Sequence, residues 1–373
     1  MYSLLTGHTL FHIGRGFIGV ILAVYLLQQG ISLETIAVAK SLQLVASVLF
    51  NYPAGKIADR FGKKTAILTA CFFSILYFTL MLFPSVETVI MGEIFNGLSI
   101  ACYMGAYEAW IFEFKSQKEN SFSLISRSTE MLLLGSIFAS IVGAFYFDQA
   151  IYFALFFVFC ALPFYLFTQQ RKETKPLQQT FLGEIRFFYQ ALNLKAVFCL
   201  FFVGGMQLIY QLWSVFVVQD LQINKAMLGY ILATMFAGQW LLMLIARKTA
   251  FSQKTYANYL MLGAVSLLAV SVLLLSYAQQ SSLFIIFCFV CFTACCGLTS
   301  NLYFSSSCQL FAKIPNESSM ISLLDMHIRF VGAVILGLYS QFYAQDTIII
   351  WAFFPLLILI YCMFRLFLMQ KSS

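Results

Sequence analysis

The stretch that decides the fold is Gly55-Lys56-Ile57-Ala58-Asp59-Arg60-Phe61-Gly62-Lys63-Lys64. It is charged, it holds two glycines, and a long apolar run lies on each side of it. Charged residues make up 10% of the whole chain and hydrophobic residues 61%, whereas an ordinary soluble domain has about 25% charged residues. We therefore predict a tight cytoplasmic loop between two helices that cross a membrane.

Apolar runs recur along the chain at about the 20-residue length that crosses a bilayer as a helix. This repetition predicts an all-α membrane protein of twelve transmembrane helices, with no room for a soluble catalytic domain. No phosphate-binding glycine loop, zinc signature or Ser/His/Asp order is visible, so we do not expect an enzyme. The predicted spans are 7–28, 32–52, 64–83, 88–113, 127–147, 149–169, 195–218, 226–246, 255–277, 283–311, 318–342 and 347–368.

The net charge of +7 follows from the placement of basic residues relative to these spans. If the N-terminus is cytoplasmic, Lys40 and Lys225 lie near the outer side and Arg15 and Arg329 lie within spans. Every other Lys and Arg then falls on the cytoplasmic side, as the positive-inside rule requires. The asymmetry predicts that both termini are cytoplasmic, and it gives no reason to expect nucleic-acid binding.

A polar break in the middle of the chain divides the predicted spans into two groups of six. We predict an N-terminal bundle over residues 1–170, a cytoplasmic linker over 171–193 and a C-terminal bundle over 194–373. The linker has apolar residues at helical spacing after Phe181, which indicates an amphipathic helix on the cytoplasmic surface. A flexible tether with incidental periodicity is the alternative.

The stretch from Gly55 to Lys64 lies between the predicted second and third spans. At this position it resembles a sequence motif of the major facilitator superfamily, G-x-x-x-D-R-x-G-[RK]-[RK]. The matching positions are Gly55, Asp59, Arg60, Gly62, Lys63 and Lys64. The resemblance implies two pseudo-symmetric six-helix bundles, a central site that opens alternately to each side, and a gating role for this loop. Asp59 can pair with a cation or with a helix N-terminus across the bundle interface.

Two further family patterns are altered in this chain. The drug-antiporter pattern G-x-x-x-G-P-x-x-G-G survives in the fifth span only as small residues, and its proline is absent. Many relatives carry an arginine in the fourth span four residues before a glycine, where this chain has Glu93 before Gly97. A mechanism that depends on that arginine is therefore not expected.

An ionisable side chain deep in a membrane usually faces a cavity and has a function. In the first span His8, His12, Arg15 and Gly19 share one helical face. We predict that Arg15 binds an anionic substrate group, assisted by His12; a structural ion pair is the alternative for Arg15. Because that face has no carboxylate or cysteine beside the two histidines, we expect no metal site.

Three more ionisable residues lie within spans. Asp325 and Arg329 form a favourable i, i+4 ion pair. Either the two charges simply neutralise each other, or the pair breaks when substrate or a proton binds and so favours one conformation. Glu93 is a candidate proton carrier, so Glu93 and Asp325 are the predicted proton-coupling residues. Glu108, near the cytoplasmic end of the fourth span, is predicted to belong to the gate, and Glu130 is predicted to pair with Arg127 there.

Neutral polar side chains on otherwise apolar spans predict a shared wet interior. Gln207 and Gln211 share a face of the seventh span, and Asn301 lies in the tenth. Together with Arg15, His12 and Arg329 they form the predicted substrate site. The ten cysteines lie mostly in apolar spans, where cysteine packs as a small hydrophobic residue.

These observations favour a monomeric secondary transporter in a bacterial cytoplasmic membrane. It would carry a small organic solute, preferably one with a carboxylate, by alternating access and coupled to protons, without a cofactor. A multidrug exporter is the alternative within the same class, and a membrane sensor that does not transport is the alternative outside it.

Overall fold

The protein is described by a computed structural model. The described residues are 2–19, 22–114, 121–169, 181–191, 223–224, 227–248 and 317–342, together with scattered helical positions between 284 and 304. No strand occurs among them. The predicted seventh, ninth and twelfth spans lie outside this part of the chain, and so does most of the tenth. The count of twelve helices and the bounds of the two bundles therefore stay predictions.

The described helices, numbered here in chain order, are α1 (Tyr2–Gly19), α2 (Leu22–Gln28), α3 (Leu33–Phe61), α4 (Lys63–Met81), α5 (Val86–Phe112), α6 (Ser121–Phe145), α7 (Ala150–Phe167), α8 (Phe181–Ala191), α9 (Leu228–Lys248) and α10 (Glu317–Phe342). A short 3₁₀ turn, Phe147–Gln149, precedes α7. Within the described residues, five segments are long and apolar enough to cross a membrane: Lys63–Met81, Val86–Phe112, Ser123–Phe145, Phe147–Phe167 and Leu228–Ile245.

The stretch predicted as a loop is helical over most of its length. Helix α3 continues to Phe61 and α4 begins at Lys63, so Gly62 alone separates them. Gly62 has a φ of 99°, a conformation that glycine adopts without steric cost, and its N–H donates to the Ala58 carbonyl. The prediction of a longer loop was wrong because one glycine is sufficient to break the helix here.

Gly55, the other glycine of the motif, lies inside α3 and serves close packing. A Cβ at this position would lie 2.7 Å from Ser322 Oγ and 2.8 Å from Ser319 Cα. Gly105 on α5 faces the same segment, and a Cβ there would collide with Ser322 Oγ. The two glycines let the start of α10 approach both helices, as small residues do between membrane helices.

Helix packing connects the first six predicted spans to two helices of the second half. Helix α5 packs on α3 and α4, α1 packs on α6 and α7, α10 packs on α3 and α5, and α9 packs on α6. Large side chains of α1, α4, α5 and α7 fill the core. The fully buried ones include Phe11, Phe17, Phe78, Trp110 and Tyr165. The contact of α10 with α3 and α5 places polar residues of both halves together.

Helix α8 does not lie free on a surface. Its Glu184 and Phe188 are fully buried. Glu184 accepts hydrogen bonds from Lys56 and Tyr52 of α3. Phe188 stacks on the His327 ring of α10 at 5.1 Å between centroids. The helix therefore contacts α3 and α10 where those two helices meet.

Candidate functional site

Arg15 of α1 is held between α4 and α5 by neutral side chains. Its Nη2 donates to Asn96 Oδ1 at 2.6 Å, and its Nη1 donates to Ser74 Oγ at 3.3 Å. Ser74 also shares a 2.6 Å hydrogen bond with Ser99. A guanidinium has five N–H donors, and these bonds use only part of that capacity.

Glu93 of α5 lies beside this group, and three donors hold its carboxylate. Lys40 of α3 forms an ion pair with Oε1 at 2.8 Å, and Tyr77 donates to the same oxygen at 3.3 Å. Asn96 donates to Oε2 at 2.9 Å. Asn96 therefore connects Glu93 to Arg15, and Lys40 supplies the direct counter-charge of Glu93.

Asp325 and Arg329 form an ion pair on α10. Arg329 Nε donates to Asp325 Oδ2 at 2.6 Å, and Asn51 of α3 donates to the same oxygen at 2.9 Å. Arg329 and the carboxylate of Glu93 both interact electrostatically with Arg15, with opposite signs, and Glu93 has the stronger influence. Two arginines, one from each half of the chain, thus lie within electrostatic range of each other.

The two histidines belong to an aromatic cluster. His8 Nδ1 and Tyr103 Oη are 2.7 Å apart, and the His8 ring stacks on Tyr107 at 4.0 Å. His12 meets His8 edge-on at 4.5 Å between ring centroids. His12 precedes Arg15 by three residues on α1, so the two share a face. Within the described residues, no group of His, Cys, Asp and Glu is placed to hold a metal ion.

Of the remaining predicted substrate residues, only Asn301 lies among the described residues. Asn301 donates to Thr129 at 2.7 Å and accepts from Ser126 at 3.3 Å, so it connects to α6. These contacts do not bring it to Arg15. Gln207 and Gln211 lie outside the described residues.

Asp59 lies near the C-terminal end of α3, and its carboxylate binds the first turn of α10. Its carboxylate accepts from the backbone N–H groups of Ser318 and Ser319 at 3.1 and 3.0 Å, and also from the Ser319 hydroxyl. A carboxylate at a helix N-terminus satisfies free N–H groups and complements the helix dipole. Of the two partners considered for Asp59, the structure shows the helix N-terminus.

The basic residues of the motif have separate partners. Lys63 pairs with Glu113 at 2.8 Å, and Lys64 donates to the Leu166 carbonyl. Arg60 is exposed, and its guanidinium lies 5.3 Å from the centroid of the neighbouring Phe61 ring. The structure thus brings Asp59 of the motif to the first turn of α10.

One of the two acidic residues near the predicted gate has a different partner from the expected one. Glu130 pairs with Arg247 of α9 through two hydrogen bonds of 2.6 and 2.9 Å. The predicted pair with Arg127 was wrong, because the Arg127 guanidinium stacks on Tyr2. The hydrogen bonds that Arg247 donates to the Glu130 carboxylate raise the pKa of Arg247. The other, Glu108, is buried, and its Oε2 has no hydrogen-bond partner.

Sequence reasoning missed the residues that connect the ionisable groups. Asn51, Ser74, Tyr77 and Asn96 supply these hydrogen bonds, and Lys40 supplies a charge that was assigned to the outer side. Asn96 follows Glu93 by three residues on one helical face, and that spacing is the signal that could have found it. The partners of Asn51 and Ser74 lie on distant helices, and no local spacing reveals them.

Comparison with known proteins agrees with this architecture. Residues 4–337 match the Major Facilitator Superfamily, and the chain belongs to that family. It is 26% identical over 265 residues to the uncharacterized MFS-type transporter YxaM of Bacillus subtilis (strain 168). That alignment covers 66% of this chain and 65% of the relative's length.

Solved transporter structures share the fold at low sequence identity. The nucleoside transporter NupG has a TM-score of 0.73 at 13% identity, with 97% of this chain and 98% of NupG covered. The Escherichia coli fucose:proton symporter FucP has a TM-score of 0.72 at 13% identity, with 98% of each chain covered. The protein is therefore a multi-pass membrane protein with the fold of the superfamily's transporters.

Proposed function

We propose that the protein is a secondary active transporter of a small organic solute bearing a carboxylate or another anionic group. The observation that carries this proposal is the environment of Arg15. Its guanidinium donates to Asn96 and Ser74, which are neutral, while the neighbouring carboxylate of Glu93 is paired directly with Lys40. The site thus offers a positive charge that a bound anion would complement.

Arg329 supports the same solute class from the other half of the chain. It interacts electrostatically with Arg15, and its only charged hydrogen-bond partner among the described residues is Asp325. An anion between the two guanidinium groups would relieve their repulsion and attract both halves to itself. His12 is the further predicted contact on α1, and Gln207, Gln211 and Asn301 remain predicted contacts of the second half.

Transport requires that the two halves separate on one side and close on the other. We propose that residues 1–170 rock against residues 194–373, with Asp59, Gly55 and the neighbouring motif residues forming the cytoplasmic gate. The described contacts between α3, α5 and α10 close the end of the molecule at which Asp59 lies. On this proposal the structure represents the conformation closed to the cytoplasm of a bacterial inner-membrane protein.

Transport is coupled to protons in this proposal because a carboxylate controls how freely each arginine can bind substrate. Glu93 acts on Arg15 through Asn96, and Asp325 holds Arg329 directly. Protonation of either acid would remove a negative charge and leave the guanidinium freer to bind substrate. In this proposal both acids respond to the transported proton.

A ligand screen followed by flux measurement tests the proposal. Purified protein is melted with organic anions, cations and sugars at two pH values, and each stabilising compound is then assayed for flux into proteoliposomes. We expect an organic anion to raise the melting temperature and to accumulate with an inward proton gradient. Stabilisation by cations alone would favour a drug exporter, and binding without flux under any gradient would favour a sensor.

A further inference from the structure

The linker helix α8 is attached to both halves of the chain. Glu184 and Phe188, four residues apart on one helical face, are both fully buried. Glu184 accepts a hydrogen bond from Tyr52 of α3 at 2.8 Å and another from Lys56. Phe188 stacks on the His327 ring of α10, with 5.1 Å between the ring centroids. One face of α8 therefore holds α3 with a carboxylate and α10 with an aromatic ring.

Tyr189 completes the attachment of α8 to α10. Its hydroxyl lies 2.8 Å from His327 Nε2, and its ring meets the histidine ring edge-on at 5.6 Å between centroids. The other ring nitrogen, Nδ1, lies 2.7 Å from the Leu323 carbonyl, which can only accept, so Nδ1 donates that bond. Both nitrogens of His327 thus have partners, and two aromatic side chains of α8 fix the position of its ring.

These attachments lie beside a hydrogen bond that joins the two halves directly. Asn51 of α3 donates to Asp325 of α10 at 2.9 Å. Tyr52 follows Asn51 on α3 and so lies about 1.5 Å from it along the helix axis. His327 is the second residue after Asp325 on α10, about 3 Å along that axis. Helix α8 therefore crosses the contact between α3 and α10 at the level of this bond, and the two helices cannot separate there while both attachments hold.

The two attachments differ in strength. A hydrogen bond to an ionised group is roughly twice as strong as one between neutral groups, and the fully buried Glu184 receives such a bond from Lys56. A buried carboxylate that lost its donors would be strongly destabilised. The attachment to His327 consists of ring contacts and the hydrogen bond with Tyr189, whose surface is 55% exposed. The contact with α10 is therefore the weaker of the two.

We propose that α8 is a strap across the cytoplasmic gate, which stays on α3 when the gate opens and releases His327 of α10. The inference rests on the proposed function, because it assumes that α3 and α10 separate during transport. A strap acts through two attachments in series, so it holds the gate closed when both are intact and loses its hold when either one breaks. The weaker attachment breaks when the gate opens, and α8 binds His327 again when α10 returns.

Labelling of a single cysteine tests the strap without a transported solute. The ten native cysteines are replaced, and a cysteine is introduced in place of Ser47, which is buried on α3 one turn before Asn51. A membrane-impermeant thiol reagent is then added to inside-out vesicles. We expect Phe188→Ala to raise the labelling rate several-fold, because the stack on His327 is lost. Phe187→Ala, at the preceding position, removes a ring that is 37% exposed and should leave the rate unchanged.

A double variant distinguishes a strap from two independent contacts. Glu184→Ala should also raise the labelling rate, and its combination with Phe188→Ala should label no faster than the faster single variant, whereas independent contacts would multiply the two effects. Multiplied effects, an unchanged rate in either single variant, or an equal acceleration in Phe187→Ala would each overturn the proposal. Circular dichroism and melting verify folding. Tyr52→Phe and Tyr189→Phe, which lack only a hydroxyl, take the place of a single variant that does not fold.

Distances between spin labels measure which attachment is released. In the same background, a label on the exposed Arg186 of α8 is paired with one on Leu49 of α3 or on Phe330 of α10, which are also exposed. In Gly105→Ala, whose added Cβ collides with Ser322 Oγ, the distance to Phe330 should lengthen and the distance to Leu49 should not. A longer distance to Leu49, or an unchanged distance to Phe330, would overturn the order of release. Neither measurement uses a solute, so a failed search for a transported anion leaves both results unaffected.

Discussion

Two polar regions of this protein are built differently. The first surrounds Arg15 and lies within the predicted N-terminal bundle, where helices α1, α3, α4 and α5 supply the hydrogen-bond and ion-pair partners found among the described residues. The second lies where α3 and α5 meet α10, and its bonds cross between the two halves of the chain. The first region is extensively hydrogen-bonded, whereas the second retains buried polar atoms without partners.

Buried polar atoms without a hydrogen bond occur at the contact with α10 and also elsewhere in the described residues. Asn51 Oδ1, Glu108 Oε2, Ser318 Oγ and Ser322 Oγ belong to α3, α5 or α10, whereas His8 Nε2 and Gln239 Nε2 belong to α1 and α9. A buried polar group without a partner costs roughly 1–3 kcal/mol, and exposure to water would recover that cost. The contact with α10 is therefore held by a few strong bonds and opposed by several unsatisfied groups, which suits a reversible gate.

The largest effect is expected from Arg15→Ala. The change removes the interior charge that the proposed anion binds, so transport should fall to background and the anion should no longer raise the melting temperature. Flux into proteoliposomes and thermal shift measure the two effects. Arg15→Lys, which keeps the charge but not the paired donors, should bind weakly and show part of the wild-type shift. Wild-type flux in Arg15→Ala would remove Arg15 from the site.

Gly105→Ala should open the contact with α10. The added Cβ meets Ser322 Oγ and the Ser318 carbonyl, and overpacking of this kind costs about 1–3 kcal/mol. In a background whose ten native cysteines are replaced, a cysteine in place of the buried Ser47 should react several-fold faster with a membrane-impermeant thiol reagent when Gly105→Ala is present than when it is absent. The reaction is measured in inside-out vesicles. Gly19→Ala is the matched control, since a Cβ there meets nothing within 4 Å. Equal reactivity in the two variants would contradict the packing argument.

Substitutions of Asp59 should weaken the hydrogen bonds between α3 and α10 in steps. Asp59→Ala removes every acceptor from the first turn of α10 and should cost about 0.5–2 kcal/mol, as the loss of a helix cap does. Asp59→Asn keeps an acceptor and loses the charge, so it should cost about 0.3–1 kcal/mol. The Ser47→Cys labelling rate should follow that order. Glu87→Gln, which removes an exposed acid at the start of α5 outside the proposed gate, serves as the control and should leave the rate unchanged.

The smallest effect is expected at the linker helix. Glu184→Gln weakens the bonds from Lys56 and Tyr52 that dock α8 on α3. The loss should be on the order of 1 kcal/mol, because the Lys56 side chain is one-third exposed. Limited proteolysis near residue 181 should accelerate, and Arg186→Gln, at an exposed position of the same helix, should not accelerate it. An unchanged cleavage rate in Glu184→Gln would show that α8 is docked mainly by Phe188.

Much of the fold could be predicted because a segment that crosses the hydrocarbon core of a membrane must be apolar and helical. Apolar length identifies spans, and the motif from Gly55 to Lys64 indicated the family that residues 4–337 match. The errors were local. The break between α3 and α4 is one residue wide, and Glu130 found a partner on α9 instead of a neighbour. The pair between Lys40 and Glu93 was not predicted at all.

The sequence by itself determined that the chain is a helical membrane protein, where a helix must break, and which polar residues lie among apolar ones. Tertiary structure alone decided how those polar residues pair. Asp59 binds residues 259 and 260 positions away, and Asn51 binds Asp325, 274 positions away. Helical spacing specifies neighbours within one helix, whereas a partner on another helix is selected by packing of the whole bundle, where close approach at Gly55 and Gly105 decides which side chains can meet.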